Sequence, residues 1–409
     1  MTANSTERLH ALDAVRGFAL LLGVAFHATL SFLPSPQHVP LWIVMDSSRS
    51  LALAVLFHVL HTFRMTVFFL IAGFFAHMSL HKRGTKGFVL ERLKRIGIPL
   101  VVGWPVLIAA ILAVSIWGVV VSSHGGPMPP SPRYAGFPAF PLTHLWFLYV
   151  LLLLYAGTLL VRGLAALVDR QGALGRGADA LVRGLVRTPL GPAILAAPTC
   201  VALCLRPAWT LWFGIPTPDS SLVPNLAATV AFSTAFGFGF LLHRQPELLG
   251  VWRRRWALNL AAAVGLSLAG LAIVGPVPVL TPAAGWSKFA FAGCYTLAIW
   301  TWSFGLIGAA LRFLSGFSPA RRYIADASYW LYMIHLPIIM ALQVAVSQLD
   351  WPWFVKFPVI LAVAFPLMFA SYALLVRHSF IGALLNGRRP PRQGRTNGLP
   401  SPAESASPV

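Results

Sequence analysis

Of 409 residues, 57% are hydrophobic and only 10% charged, yet the formal net charge is +20. An ordinary soluble domain carries roughly 25% charged residues, so this balance excludes a disordered chain, a small disulfide scaffold and an ordinary cytosolic enzyme. It leaves a polytopic membrane protein, and the apolar excess argues against nucleic acid as a partner.

A helix crossing the hydrocarbon core needs ~20 mainly apolar residues. Ten runs qualify, at 12–33, 51–79, 96–122, 143–163, 189–213, 223–243, 256–276, 289–313, 327–348 and 354–376. The expected fold class is therefore an all-α bundle of about ten transmembrane helices in the lipid bilayer. The first run is too long for a secretory signal and lacks a small-residue cleavage site, so no cleaved leader is expected. The run at 189–213 is the weakest, because Pro198, Arg206 and Pro207 interrupt it. With ten spans, 24 of the 31 basic residues fall on the side that also holds both termini, and Lys356 is one of five in the outer loops. The positive-inside rule makes that side the cytoplasm. The six prolines between Pro127 and Pro141 forbid a regular helix and read as a cap or lid on the outer face. Residues 1–377 form the expected membrane domain, and 378–409 a cytoplasmic, disordered tail. No internal repeat is evident. Cys200, Cys204 and Cys294 stand in apolar runs without metal-type spacing and read as small buried hydrophobes. No metal is expected.

An ionisable group inside a span costs at least ~2.5–3.5 kcal/mol on insertion scales, so it faces the bundle interior and marks function by default. In the first run Arg16 and His27 are eleven residues apart, about 20° past three full turns, and so share a face. Asp13 precedes Arg16 by three and can pair with it. A structural pair at the inner interface, with Arg16 snorkelling, is the plain alternative, but it leaves His27 unexplained. In the second run His58, His61 and Arg64 step by three along one side, with Arg64 near mid-depth. Histidines of this kind also serve as satisfied interhelical polar groups. His144 stands at the outer end of the fourth run. Tyr329, Tyr332 and His335 step by three in the ninth. Together with His27 these residues imply a hydrated cavity open to the outer side. Trp146 could line it, although an interfacial Trp more often anchors its helix. Arg92 and Arg95 lie on one helix face in the densest inner loop. They read either as a topology signal or as a clamp for phosphate oxygens.

These residues carry a family likeness. Arg8-Leu9-His10-Ala11-Leu12-Asp13-Ala14-Val15-Arg16-Gly17 followed by His27 resembles the opening signature of the acyltransferase 3 family. So do Arg64-Met65-Thr66-Val67-Phe68-Phe69, the Arg92-Leu93-Lys94-Arg95 loop, His144-Leu145-Trp146-Phe147-Leu148, and Ala327-Ser328-Tyr329-Trp330-Leu331-Tyr332 with His335. The likeness spans about residues 8–377. It implies a bacterial inner-membrane enzyme moving an acyl group from cytoplasmic acyl-CoA to hydroxyls of an envelope glycan. One branch succinylates osmoregulated periplasmic glucans, with succinyl-CoA as the implied donor. No permanently bound cofactor is implied. Arg92 and Arg95 would hold the CoA phosphates, with Arg16 nearer the membrane. His27 would act as general base or become acylated. Arg64 or His61 would stabilise the oxyanion, or Arg64 would pair with a distal carboxylate. His58, His144, His335 and Tyr332 would contact substrate. The competing class is a transporter of an anion or glycan through an Arg/His-lined cavity.

Overall fold

The computed structural model describes residues 5–34, 41–123, 140–282 and 284–386, with side chains from His10 onward. Residues 124–139 of the proline-rich lid expected at 124–141, and the tail beyond 386, lie outside the described residues. Every element among the described residues is helical. In chain order these are α1 (Ser5–Thr29), α2 (Leu51–Arg92), α3 (Ile98–Ser123), α4 (Trp146–Val168), α5 (Ala173–Arg187), α6 (Gly191–Cys204), α7 (Leu226–Leu242), α8 (Leu249–Val274), α9 (Trp286–Phe313), α10 (Pro319–Ser347), α11 (Trp353–Ser371) and α12 (Phe380–Asn386).

Local chemistry sets the helix starts. The Leu53 N–H donates to Ser50 Oγ at the head of α2, and the Ala228 N–H to Asn225 Oδ1 at the head of α7. Ser318 followed by Pro319 opens α10 in the same way. Asp169 accepts backbone N–H bonds from Ala173 and Leu174 and so fixes the start of α5. Helix α2 runs through Gly84, whose positive φ of 66° is non-helical and bends it. Five residues, Leu93–Gly97, then wind as a π-turn into α3.

Seven helical segments among the described residues are long and apolar enough to cross a membrane, or eight if α5 and α6, bent by 105°, count as one. The segment Leu51–Ser122 counts once and contains two of the ten expected runs. Helix α7, at 17 residues, falls short. The weak run at 189–213 is α-helical only to Cys204, with a separate 3₁₀ turn at Leu211–Phe213, and α5 meets it at a sharp angle. Large apolar side chains lie open on the outside of α3 and α4, among them Val101, Val102, Leu160 and Leu167. Such a continuous apolar exterior suits hydrocarbon rather than water.

Three expectations change. Residues 380–386 form α12 rather than a disordered tail, with Gly382 and Leu385 buried, because the Leu385 carbonyl accepts a bond from Arg95 Nε at 3.0 Å. All three cysteines are free and only half-buried. Lys356, read as an outer-loop cation, is fully buried at the start of α11. Its Nζ donates to both oxygens of Asp46, at 2.9 and 2.7 Å.

That ion pair anchors the 41–50 segment, which is also tied by Asp46 N–H to Ser31 O and Ser50 N–H to Phe32 O. Removing one partner leaves an uncompensated buried charge. Lys356→Met should therefore lower stability in detergent by about 3–5 kcal/mol. Adding Asp46→Asn, which keeps the acceptor for the Ser48 N–H, should restore part of it. Thermal unfolding of the three proteins checks this.

Helices α2 and α7 cross with their backbones in contact. A Cβ on Gly73 would sit 2.0 Å from the Phe236 carbonyl oxygen, and one on Gly239 would sit 2.0 Å from that of Leu70. Small residues permit this close approach in membrane bundles. Gly73→Ala must push the helices apart and should cost about 1–3 kcal/mol, read as a lower melting temperature.

Candidate active site

Where α1, α2, α3, α4 and α10 face one another they enclose a cavity of about 1670 Å³. Its wall carries Arg16, His27, His61, Arg64, Arg92, Arg95, His144, Tyr332 and His335, and Asp13 at one rim. Nearly every residue singled out in the sequence is thus brought to one space. The exception is His58. It is buried against Trp212 and Phe291, its Nδ1 donating to the Trp212 carbonyl at 3.1 Å, and it does not reach the cavity. Two steps of three along α2 turn the chain through about 600°, so His58 and Arg64 lie about 120° apart around the helix axis and face different neighbours.

Three histidines stand in a row. The His27 and His335 ring centroids are 5.1 Å apart, and those of His335 and His144 are 5.2 Å apart. Carbonyl partners fix two tautomers, because a carbonyl only accepts. His335 Nδ1 donates to Tyr332 O at 2.7 Å, leaving Nε2 with its lone pair. His144 Nε2 donates to Met333 O at 2.9 Å, leaving Nδ1 to accept from the Thr143 hydroxyl at 3.4 Å. His27 has a buried Nδ1 without a hydrogen-bond partner. Tyr332 donates to the His144 carbonyl at 2.6 Å and so joins α10 to the head of α4.

Arg64 lies over the Phe26 ring at 3.9 Å, and the same ring stacks with His61 at 5.6 Å. Arg64 Nη1 and His61 Nδ1 are buried with no partner. An unpaired guanidinium nitrogen in a low-dielectric space is a strong donor for an anion.

The opposite end is basic. Arg92 packs on the Phe88 and Tyr155 rings at 5.0 and 5.1 Å. Arg95 bonds Glu91 at 3.2 Å, and Glu91 also takes Arg83 at 3.2 Å, Ser79 at 2.7 Å and Arg92 at 4.0 Å. Arg16 pairs with Asp13 at 3.2 Å, and Arg322 reaches the same carboxylate at 3.8 Å. Two carboxylates, Glu91 and Asp13, are thus shared among five arginines, Arg16, Arg83, Arg92, Arg95 and Arg322, and balance only part of this cluster. Among the described residues no group of three His, Cys, Asp or Glu is placed to hold a metal.

The family model described as Acyltransferase domain matches residues 9–373. The chain belongs to this acyltransferase family. Glucans biosynthesis protein C of Escherichia coli strain SMS-3-5 is 32% identical over 150 residues, which is 36% of this chain and 37% of that protein. The same-named protein of strain K12 is 31% identical over the same shares. The matched stretch thus spans well under half the length of these relatives. No solved structure matches the chain.

The cavity of this acyltransferase includes residues that sequence reasoning passed over. Trp42 and Asp219 line it, and Tyr155 supports Arg92. Neutral or loop-borne groups raise no alarm in a search for charges inside spans. Asp219 sits in the loop between α6 and α7, whose carbonyls at Asp219 and Ser220 accept from Thr143 N–H and Phe140 N–H. The residue is open to the cavity lumen, yet burial within the wall pushes its carboxyl up to about 6. The folded chain therefore holds this proton more tightly than the unfolded one. Its contribution favours folding below the ordinary carboxylate range and is lost as pH rises through about 6. Asp219→Asn should flatten the dependence of melting temperature on pH between pH 4 and 7, with its gain over the parent largest at pH 7.

Proposed function

We propose that the protein is an integral inner-membrane enzyme that transfers an acyl group from cytoplasmic acyl-CoA to a hydroxyl of a periplasmic or envelope glycan. A glucan is the acceptor and succinyl the acyl group that fit the reading best. The observation that carries it is the single cavity with an arginine cluster at one end and the His27–His335–His144 row at the other. The likeness to proteins named for glucan biosynthesis supports the acceptor class. The topology that goes with it has ten spans and both termini in the cytoplasm, supported by the basic excess on that side. The Leu51–Ser122 segment then crosses twice, turning between Gly84 and Gly97.

The chemistry follows from the residues. Arg92 and Arg95 grip the CoA phosphates in exchange for Glu91, with Arg16 beside them. The thioester extends between the helices. His27 takes the proton of the acceptor hydroxyl as its oxygen bonds to the thioester carbon. The carbonyl oxygen becomes an oxyanion, stabilised by Arg64 with His61 alongside. Collapse breaks the C–S bond, and the departing thiolate takes the proton from the His27 imidazolium. The products are the glycan ester and free CoA. His144, His335 and Tyr332 keep the neighbourhood of His27 polar and ordered, and Asp13 orients Arg16.

His27→Ala should abolish glycan acylation, read by mass spectrometry of periplasmic glycans, with membrane insertion intact. Arg92→Ala combined with Arg95→Ala should remove the thermal stabilisation that CoA gives the purified protein. Unchanged acylation in the first variant, or a CoA-blind parent protein, would sink the reading, the latter in favour of a transporter.

A further inference from the structure

We propose that Gln343 and Trp42 act as a positioning pair for His27. The inference rests on the proposed role of His27 and adds two residues to it. Gln343, on α10, is 1% exposed. Its Nε2 donates to the carbonyl of His27 at 2.9 Å and to that of Ala28 at 3.2 Å. Its Oε1 accepts the indole N–H of Trp42 at 2.8 Å.

Chemistry leaves this amide one orientation. Two backbone carbonyls can only accept, so the NH₂ group faces them. An indole N–H can only donate, so the amide oxygen faces Trp42. Turning the amide over would set oxygen against two oxygens and N–H against N–H. Trp42 thus holds the rotamer that Gln343 needs in order to hold α1.

The two carbonyls are not ordinary helix carbonyls. His27 and Ala28 belong to the last turn of α1, which ends at Thr29 and passes into a 3₁₀ turn at Leu30–Phe32. The last four carbonyls of a helix have no partner within it. Here Thr29 Oγ1 donates to Phe26 O at 2.7 Å, and Gln343 serves the next two. The turn that carries the candidate base is therefore fixed from outside its own helix. Trp42 lines the same cavity, 6.4 Å from His27 between ring centroids. Its segment is in turn pinned by the buried Asp46–Lys356 pair. A base acts only within hydrogen-bond reach of the proton it removes, and a frayed last turn would let His27 drift.

Selective ¹⁵N-histidine labelling of the full-length protein in lipid nanodiscs reads the His27 ring directly, with His27→Asn assigning its signals. Gln343→Leu deletes all three bonds. Trp42→Phe keeps an aromatic ring and removes the one donor. Both should move the His27 ring resonances while those of His58 stay in place. Acyl transfer should fall about 10- to 100-fold in Gln343→Leu, with CoA affinity within about twofold of the parent, since the basic end is untouched. The double variant should be no worse than Gln343→Leu alone, because the two residues act as one chain. Gln343→Glu should retain activity at low pH, where its protonated carboxyl donates to one carbonyl, and lose it as that group ionises. His27 resonances unmoved in both variants, or losses that add in the double variant, would overturn the inference. If Gln343→Leu fails to fold, Trp42→Phe and Gln343→Glu decide the matter. A parent protein without acyl transfer but with displaced His27 signals in the variants would discard the proposed function and keep the positioning pair.

Discussion

The cost of placing ionisable groups in hydrocarbon governs this structure. Arg64, His27, His61, His144 and His335 cannot face lipid, so the helices that carry them must turn inward and meet. The bundle is the solution to that demand. Its apolar exterior on α3 and α4 faces outward, and the polar groups share one enclosed space. The close α2–α7 crossing at Gly73 and Gly239 and the buried Lys356–Asp46 pair tie the surrounding segments to one another.

Within the cavity two regions differ in kind. The arginine end is balanced by Glu91 and Asp13, held by exposed and half-exposed pairs that a charged ligand can replace. At the histidine end His144 and His335 are held by bonds to backbone carbonyls, which fix their tautomers and leave the other ring nitrogen of each as an acceptor. Exchangeable charge suits the capture of a charged donor. Fixed neutral imidazoles suit proton transfer. A single space spanning both is what the proposed acyl transfer rests on.

Much of this was legible from charge alone. Arg16, His27, His61, Arg64 and the Arg92/Arg95 pair stand out because each violates the apolar rule of its span or crowds a loop, and all line the cavity. His58 was misplaced by the same logic. A regular step of three along a helix drifts around the axis, and the sequence does not say where one neighbour ends and the next begins. The docking of α12 beneath Arg95 was equally hidden, since a short run near the chain's end has no periodicity strong enough to mark it. Gln343 and Trp42 are silent in sequence because a neutral amide and an indole are tolerated almost anywhere in a membrane protein.

By itself the sequence determined the class of molecule, the placement of its apolar runs and the short roll of charged residues that need shelter. Those properties follow from composition and from spacing along one chain. Only the tertiary structure decided which residues share a wall, which imidazole nitrogen carries its proton, and that Lys356 is an internal anchor rather than a loop cation. These depend on distances between segments hundreds of residues apart, such as His27 and Gln343. Helix periodicity sets the face a residue occupies, but packing alone chooses what that face meets.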